Sequence, residues 1–156
     1  MAENTCSGRK IMICVDGSDH SKKAFDWYAE HIARDGDELL VVTAPELHPP
    51  ALPHALATEE WHHEVEKHQE KVNAILQYYE KAIKDKCGKC KHGVVKTIGV
   101  NYSVGHALCD EAKNSHVTMV VVGSRGLGTI RRTLLGSISD YIIHHAHCPV
   151  VVVPKQ

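Results

Sequence analysis

Four segments of the 156-residue chain are short, apolar and rich in β-branched residues: Ile11–Val15, Leu39–Thr43, Val117–Val122 and Val150–Val153. None alternates apolar with polar positions. Continuous apolar runs suit strands covered on both faces, as in a parallel sheet flanked by helices. A fifth run, Val94–Val100, holds Lys96 and Thr97 and fits a strand nearer an edge. Between the runs the spacing turns helical. From Ser21 to Arg34, residues Ala24, Trp27, Tyr28, His31 and Ile32 share one face. From Thr58 to Lys86, Trp61, Val65, Val72, Ile75, Leu76, Tyr79 and Ile83 form one stripe with charges between. Ser103 reads as the cap of a third helix that buries Val104, Ala107, Leu108 and Ala112, and a fourth runs from about Ser137 to His145. The order β-α-β-α-β-α-β-α-β predicts one doubly wound α/β domain.

One stretch breaks the pattern. Pro45, Pro49, Pro50 and Pro53, four of the six prolines, follow the second predicted strand. They enforce an irregular connection, readable either as a lid at a strand end or as a plain spacer. Length and composition agree with a single domain, since a chain this long buries roughly 70% of its unfolded surface without needing disulfides or a structural metal. With 18 Lys+Arg against 19 Asp+Glu, bulk positive charge is absent, which argues against a charge-driven nucleic-acid binder. Met1 to Lys10 is polar and unlike a secretory signal, and no apolar run approaches the ~20 residues of a membrane span. A cytoplasmic protein with no membrane partner is therefore expected. Its six cysteines are irregularly spaced and would be reduced thiols.

The chemistry concentrates late in the chain. Gly123-Ser-Arg125-Gly126-Leu-Gly128 directly follows the fourth apolar run, and Gly136-Ser137-Ile138-Ser139 opens the last helix. Glycines let backbone N–H groups approach a ligand, and a helix start adds unsatisfied N–H groups and a positive dipole end, which suits phosphate oxygens. Ser137 and Ser139 offer hydroxyls, and Arg125 a fixed positive charge. From Ala112 to Ser139 there are Lys113, Arg125, Arg131 and Arg132 but no Asp or Glu, so a balanced chain keeps a local positive field. Two common phosphate motifs are excluded. No Gly-Lys-Ser/Thr follows the loop as a Walker motif requires, and the third glycine and acidic residue of the dinucleotide fingerprint are missing. At the end of the first predicted strand, Asp16-Gly-Ser18 sets a carboxylate at a strand tip. There it can accept ribose hydroxyls or hold a magnesium ion. Equally, Asp16 or Asp19 can simply cap the first helix.

The spacing Gly123-x2-Gly126-x9-Gly136-Ser137 resembles the nucleotide-binding signature of the universal stress protein family, in its ATP-binding branch. The strand ending in Asp16-Gly-Ser18 and the closing Cys148-Pro149-Val-Val-Val-Val153-Pro154 are similar to the same family, so the likeness runs from about Lys10 to Pro154. It implies a five-stranded parallel sheet in the order 3-2-1-4-5, with residues 1–9 as a flexible tail and 10–156 as the nucleotide-binding domain. Strands 1 and 4 would then meet where the winding reverses, the usual ligand crevice of open α/β sheets. By the resemblance, Asp16 contacts ribose and Val42 meets adenine. Val122 and Gly123 line the nucleoside, while Arg125, Gly126 and Gly128 border the phosphates. Gly136, Ser137, Ile138 and Ser139 hold the phosphate tail. The resemblance also implies ATP as ligand, with Mg2+ as its companion, and a homodimer. Pairing of the last strand with a second copy would cover an otherwise exposed apolar edge.

Other signals are weaker. Cys87-Gly-Lys-Cys90 lacks a second ligand pair for zinc and follows a helix end rather than opening a helix, so it reads as a solvated loop. Among the 13 histidines, His144 and His145 point to different faces and make a poor chelate. Near the glycine motif no base for phosphate cleavage is evident, so a binding module in stress response, with at most slow ATP hydrolysis, is expected over a dedicated enzyme. Two alternatives stand beside it. One is an enzyme using the same crevice for nucleotidyl or phosphoryl transfer, and the other an interaction module with an empty crevice.

Overall fold

The computed structural model describes residues 8–125 and 135–154. Five parallel strands, β1 (Lys10–Cys14), β2 (Glu38–Thr43), β3 (His92–Thr97), β4 (Met119–Gly123) and β5 (Val150–Val153), form one sheet in the order β3-β2-β1-β4-β5. Helices α1 (Asp19–Trp27), α2 (Glu59–Lys86), α3 (Val104–Asn114) and α4 (Ser137–His145) connect them. The expected doubly wound fold and strand order are those observed.

The apolar runs lack alternation because both sheet faces are covered. Ile11, Ile13 and Val15 join Phe25, Tyr28, Tyr79 and Ala82 under α1 and α2. The intervening Met12 and Cys14 join Leu108, Ala112 and Ile142 under α3 and α4. β1, β2, β4 and β5 thus feed two cores in turn. β3 lies at the edge, as its mixed composition predicts, and its Lys96 pairs with Glu111 of α3 at 2.6 Å.

Boundaries shift where side chains intervene. The first helix ends at Trp27 and widens into a π-helical turn over Tyr28–Ile32, with the Ala33 N–H donating to the Tyr28 carbonyl at 2.9 Å. Thr58 caps α2 and Ser103 caps α3 through their hydroxyls, each accepting at 3.2 Å from the backbone three residues on. The segment after β2 stays irregular to Leu52 and then forms a short 3-10 turn, Pro53–Ala57. Arg9, assigned to the tail by pattern, is held by Asp37 through two hydrogen bonds of 2.9 and 2.7 Å. No helix among the described residues is long and apolar enough to cross a membrane.

Candidate functional site

A cavity of about 580 Å³ opens at the carboxyl ends of β1, β2 and β4, where the winding reverses. Asp16 stands on its floor and is fixed from several sides. The Ser18 N–H donates to Asp16 Oδ1 at 3.0 Å, while Gly17 takes φ +78°, a conformation that favours glycine. Ser18, rather than Asp16 or Asp19, caps α1, accepting from the Ser21 N–H at 3.2 Å. Behind them the Ser21 hydroxyl donates to the Ser18 carbonyl at 3.0 Å and lies 3.2 Å from the Tyr79 hydroxyl. The carboxylate is therefore not spent as a helix cap; it sits on a pre-formed turn beside the cavity.

The opposite side is built from β4 and α4. The Gly136 N–H donates to the Ser124 carbonyl at 2.7 Å, and the Ser139 hydroxyl donates to the Gly123 carbonyl at 2.7 Å. These bonds lace the helix start to the strand tip. Gly136 is the N-cap and brings no side chain to the first-turn amides, which open beside Ser137 and Ile138 onto the cavity. The positive end of the α4 peptide dipole lies on this wall, and Arg125 lines the cavity beside it.

The expected residues divide accordingly. Asp16, Val122, Gly123, Arg125, Gly136, Ser137, Ile138 and Ser139 all line the one cavity. Gly126 and Gly128 lie outside the described residues. Val42 is fully buried and does not line the cavity: its place in β2 turns it toward the α3–α4 core, and Thr43 and Ala44 meet the cavity instead. Ser139 is 3% exposed with its hydroxyl proton given to Gly123, so it anchors α4. Gly123 has a packing reason of its own, since a Cβ there would stand 2.9 Å from the His20 carbonyl oxygen of α1.

Sequence periodicity misses one wall. His68, Lys71, Val72 and Ile75 of α2 face the cavity, joined by Glu46 and His48 from the proline-rich connection. Ile75 lies over Gly17, 3.1 Å from where a Cβ would be. Length is the signal that finds this wall. At 1.5 Å per residue the 28-residue α2 spans about 42 Å, whereas a six-residue strand spans about 20 Å. A helix returning from the carboxyl edge must therefore overhang it. The Cys14 thiol, which also lines the cavity, is chemically quiet, because burial pushes it far above its ordinary range. No group of three or more His, Cys, Asp or Glu suited to a metal occurs among the described residues.

Residues 8–154 match the model of the universal stress protein family. The chain belongs to the universal stress protein family. Universal stress protein YxiE of Bacillus subtilis is 30% identical, the match covering 92% of this chain and 97% of the relative. Other relatives are longer: the chain spans 61% of universal stress protein PHOS34 of Arabidopsis thaliana, at 31% identity. Among solved structures, universal stress protein UspA from Lactobacillus plantarum superposes with a TM-score of 0.70 at 22% identity, covering 93% of this chain and 97% of that one. An A. thaliana family protein with AMP bound does so at 0.65 and 22% identity, covering 95% and 92%.

Proposed function

We propose that this universal stress protein binds ATP in the crevice between β1 and β4 and serves in stress response or signalling, with at most slow hydrolysis. The observation that carries this reading is the convergence of Asp16, Arg125 and the side-chain-free start of α4 on one cavity. Val104, Leu108 and Val72 supply an apolar slot suited to a base. Asp16 would take the ribose, and the α4 amides with Ser137 and Arg125 the phosphates. The A. thaliana neighbour that holds AMP supports an adenine nucleotide. Magnesium would arrive with the phosphates: Asp16 is a hard oxygen donor, and Mg2+ commonly binds one or two carboxylates plus phosphate oxygens.

Calorimetric titration of the purified chain with ATP and Mg2+ tests the reading. Wild-type protein should bind and gain melting temperature, and Asp16→Ala should weaken binding about tenfold or more while the circular dichroism spectrum is kept. Gly136→Val should do the same by crowding the first turn of α4. No heat and no thermal shift in the wild type would reject the proposal. Steady multiple turnover that collapses in Asp16→Ala would favour phosphoryl or nucleotidyl transfer instead.

A further inference from the structure

The turn joining α2 to β3 carries Cys87-Gly88-Lys89-Cys90, which the cavity does not use. The expected solvated loop is not what forms: the structure seats the pair on the core. Cys87 is 4% exposed and ends α2, its N–H donating to the Ile83 carbonyl at 2.9 Å. The Cys90 N–H donates to the Cys87 carbonyl at 3.0 Å, closing a β-turn that brings its first and fourth residues together. Cys90 Sγ lies 3.8 Å from the Tyr28 hydroxyl, and both cysteines belong to the core under α1 and α2. The turn is also framed from outside. The Gly36 N–H donates to the Lys89 carbonyl at 3.2 Å, and the Lys91 N–H to the Asp37 carbonyl at 2.9 Å. The two cysteines are therefore held in a fixed frame, at the ends of one turn.

We propose that Cys87 and Cys90 are a thiol–disulfide site whose oxidant is hydrogen peroxide, and that the disulfide staples the end of α2 to the start of β3. Half-buried Cys90 is the sulfur the oxidant reaches. Its thiolate attacks one peroxide oxygen, the O–O bond breaks, and water leaves with the Cys90 proton, giving a sulfenic acid. The Cys87 sulfur then displaces the hydroxyl, which departs as a second water with the Cys87 proton. Two thiols and one peroxide thus yield one disulfide and two waters. Burial pushes the Cys87 thiol up to about 12, so Cys87 resolves rather than initiates. A thiol of such high pKa is a poor leaving group, so the bond should be slow to reduce once made. Cys14, Cys109 and Cys148 belong to the core on the other sheet face and offer the competing pairings.

The test is hydrogen peroxide treatment of the full chain, then alkylation of remaining thiols and peptide mapping by mass spectrometry. One intramolecular Cys87–Cys90 link, two hydrogens lighter and removed by dithiothreitol, is expected. Closing this short loop should raise the melting temperature by about 5 °C. Cys90→Ser, which leaves the buried Cys87 in place, should lose both the link and the shift. Linkage between any other pair, linkage between chains, or both thiols still open to alkylation overturns the site. A link without the thermal shift overturns the staple.

Discussion

Asp37 is 2% exposed and gathers the guanidinium of Arg9 at 2.7 and 2.9 Å, the Tyr28 hydroxyl at 2.9 Å and the Arg34 N–H at 3.0 Å. Burial opposes its charge most strongly, yet these donors together outweigh it and hold the carboxyl below its ordinary 3.8. Asp37→Ala leaves Arg9 and the Tyr28 hydroxyl without their acceptor and should cost about 3 kcal/mol, read as a fall in denaturation midpoint. The sign of the pH dependence follows. A carboxyl whose pKa drops on folding contributes its stability above the unfolded value and loses it as pH falls below that value. Chemical denaturation of the wild type should therefore weaken below about pH 4, and Asp37→Ala should flatten that loss. An unchanged acid limb in the variant would reject this role. None of this is legible in the residues around Asp37, because Arg9 and Tyr28 approach it only after β1 and β2 pair. Val42 and Cys87 teach the same limit: apolar pattern marks a strand, and Cys-x-x-Cys marks a turn, but which core each enters depends on the register of neighbours.

At the level of elements, strand identity was legible because continuous apolar runs predict a parallel, doubly wound sheet, whereas the strand order was implied by the resemblance of the glycine spacing to the universal stress protein signature. The α2 wall was not, since helical periodicity reports a buried stripe without saying which end of the sheet it overhangs. Val72 lies in that stripe and is buried, whereas Val65, two turns earlier, is 38% exposed, so the contacts of the helix change along its length. Lys71 faces the cavity beside this transition and makes no ion pair among the described residues. A fixed positive charge on the wall across from α4 should favour ligands with more negative charge. Lys71→Met should weaken ATP about fivefold to tenfold, an expected loss of about 1 kcal/mol, and AMP markedly less. Lys81→Met, on an exposed part of the same helix, serves as the charge-matched control and should change neither. Equal losses for ATP and AMP in Lys71→Met would mean that Lys71 packs the wall without reading charge.

At the scale of the whole molecule, the outer edge of β5 is where a second copy would pair. The carbonyl of Pro149 accepts from the Val120 N–H of β4 and that of Val153 from the Ser124 N–H just beyond it, at 2.9 Å each, so alternate residues turn their backbone groups inward. In a parallel ladder this leaves the N–H and carbonyl of Val150 and Val152 facing outward. A four-valine strand whose outward groups have no backbone partner among the described residues is a template for a second strand, and the natural remedies of charge or proline are absent from Val150–Val153. Pairing of two β5 edges about a two-fold axis would satisfy both copies with one contact. Light scattering on the eluting protein should therefore give twice the chain mass of 17.3 kDa. Val152→Pro removes one outward donor while keeping the bonds to β4, a place where an edge strand tolerates proline. It should shift the eluting species to monomer with the circular dichroism spectrum kept. A wild-type monomer, or a Val152→Pro dimer, would mean that the edge is covered in another way. Dimerisation through this edge would leave the cavity of each copy open, because β5 lies two strands from β1 and the cavity wall supplied by α2 stands on the far side of the sheet order. Nucleotide affinity should accordingly be the same in the Val152→Pro monomer as in the wild type, and a loss of affinity on dissociation would show instead that the second copy completes the site.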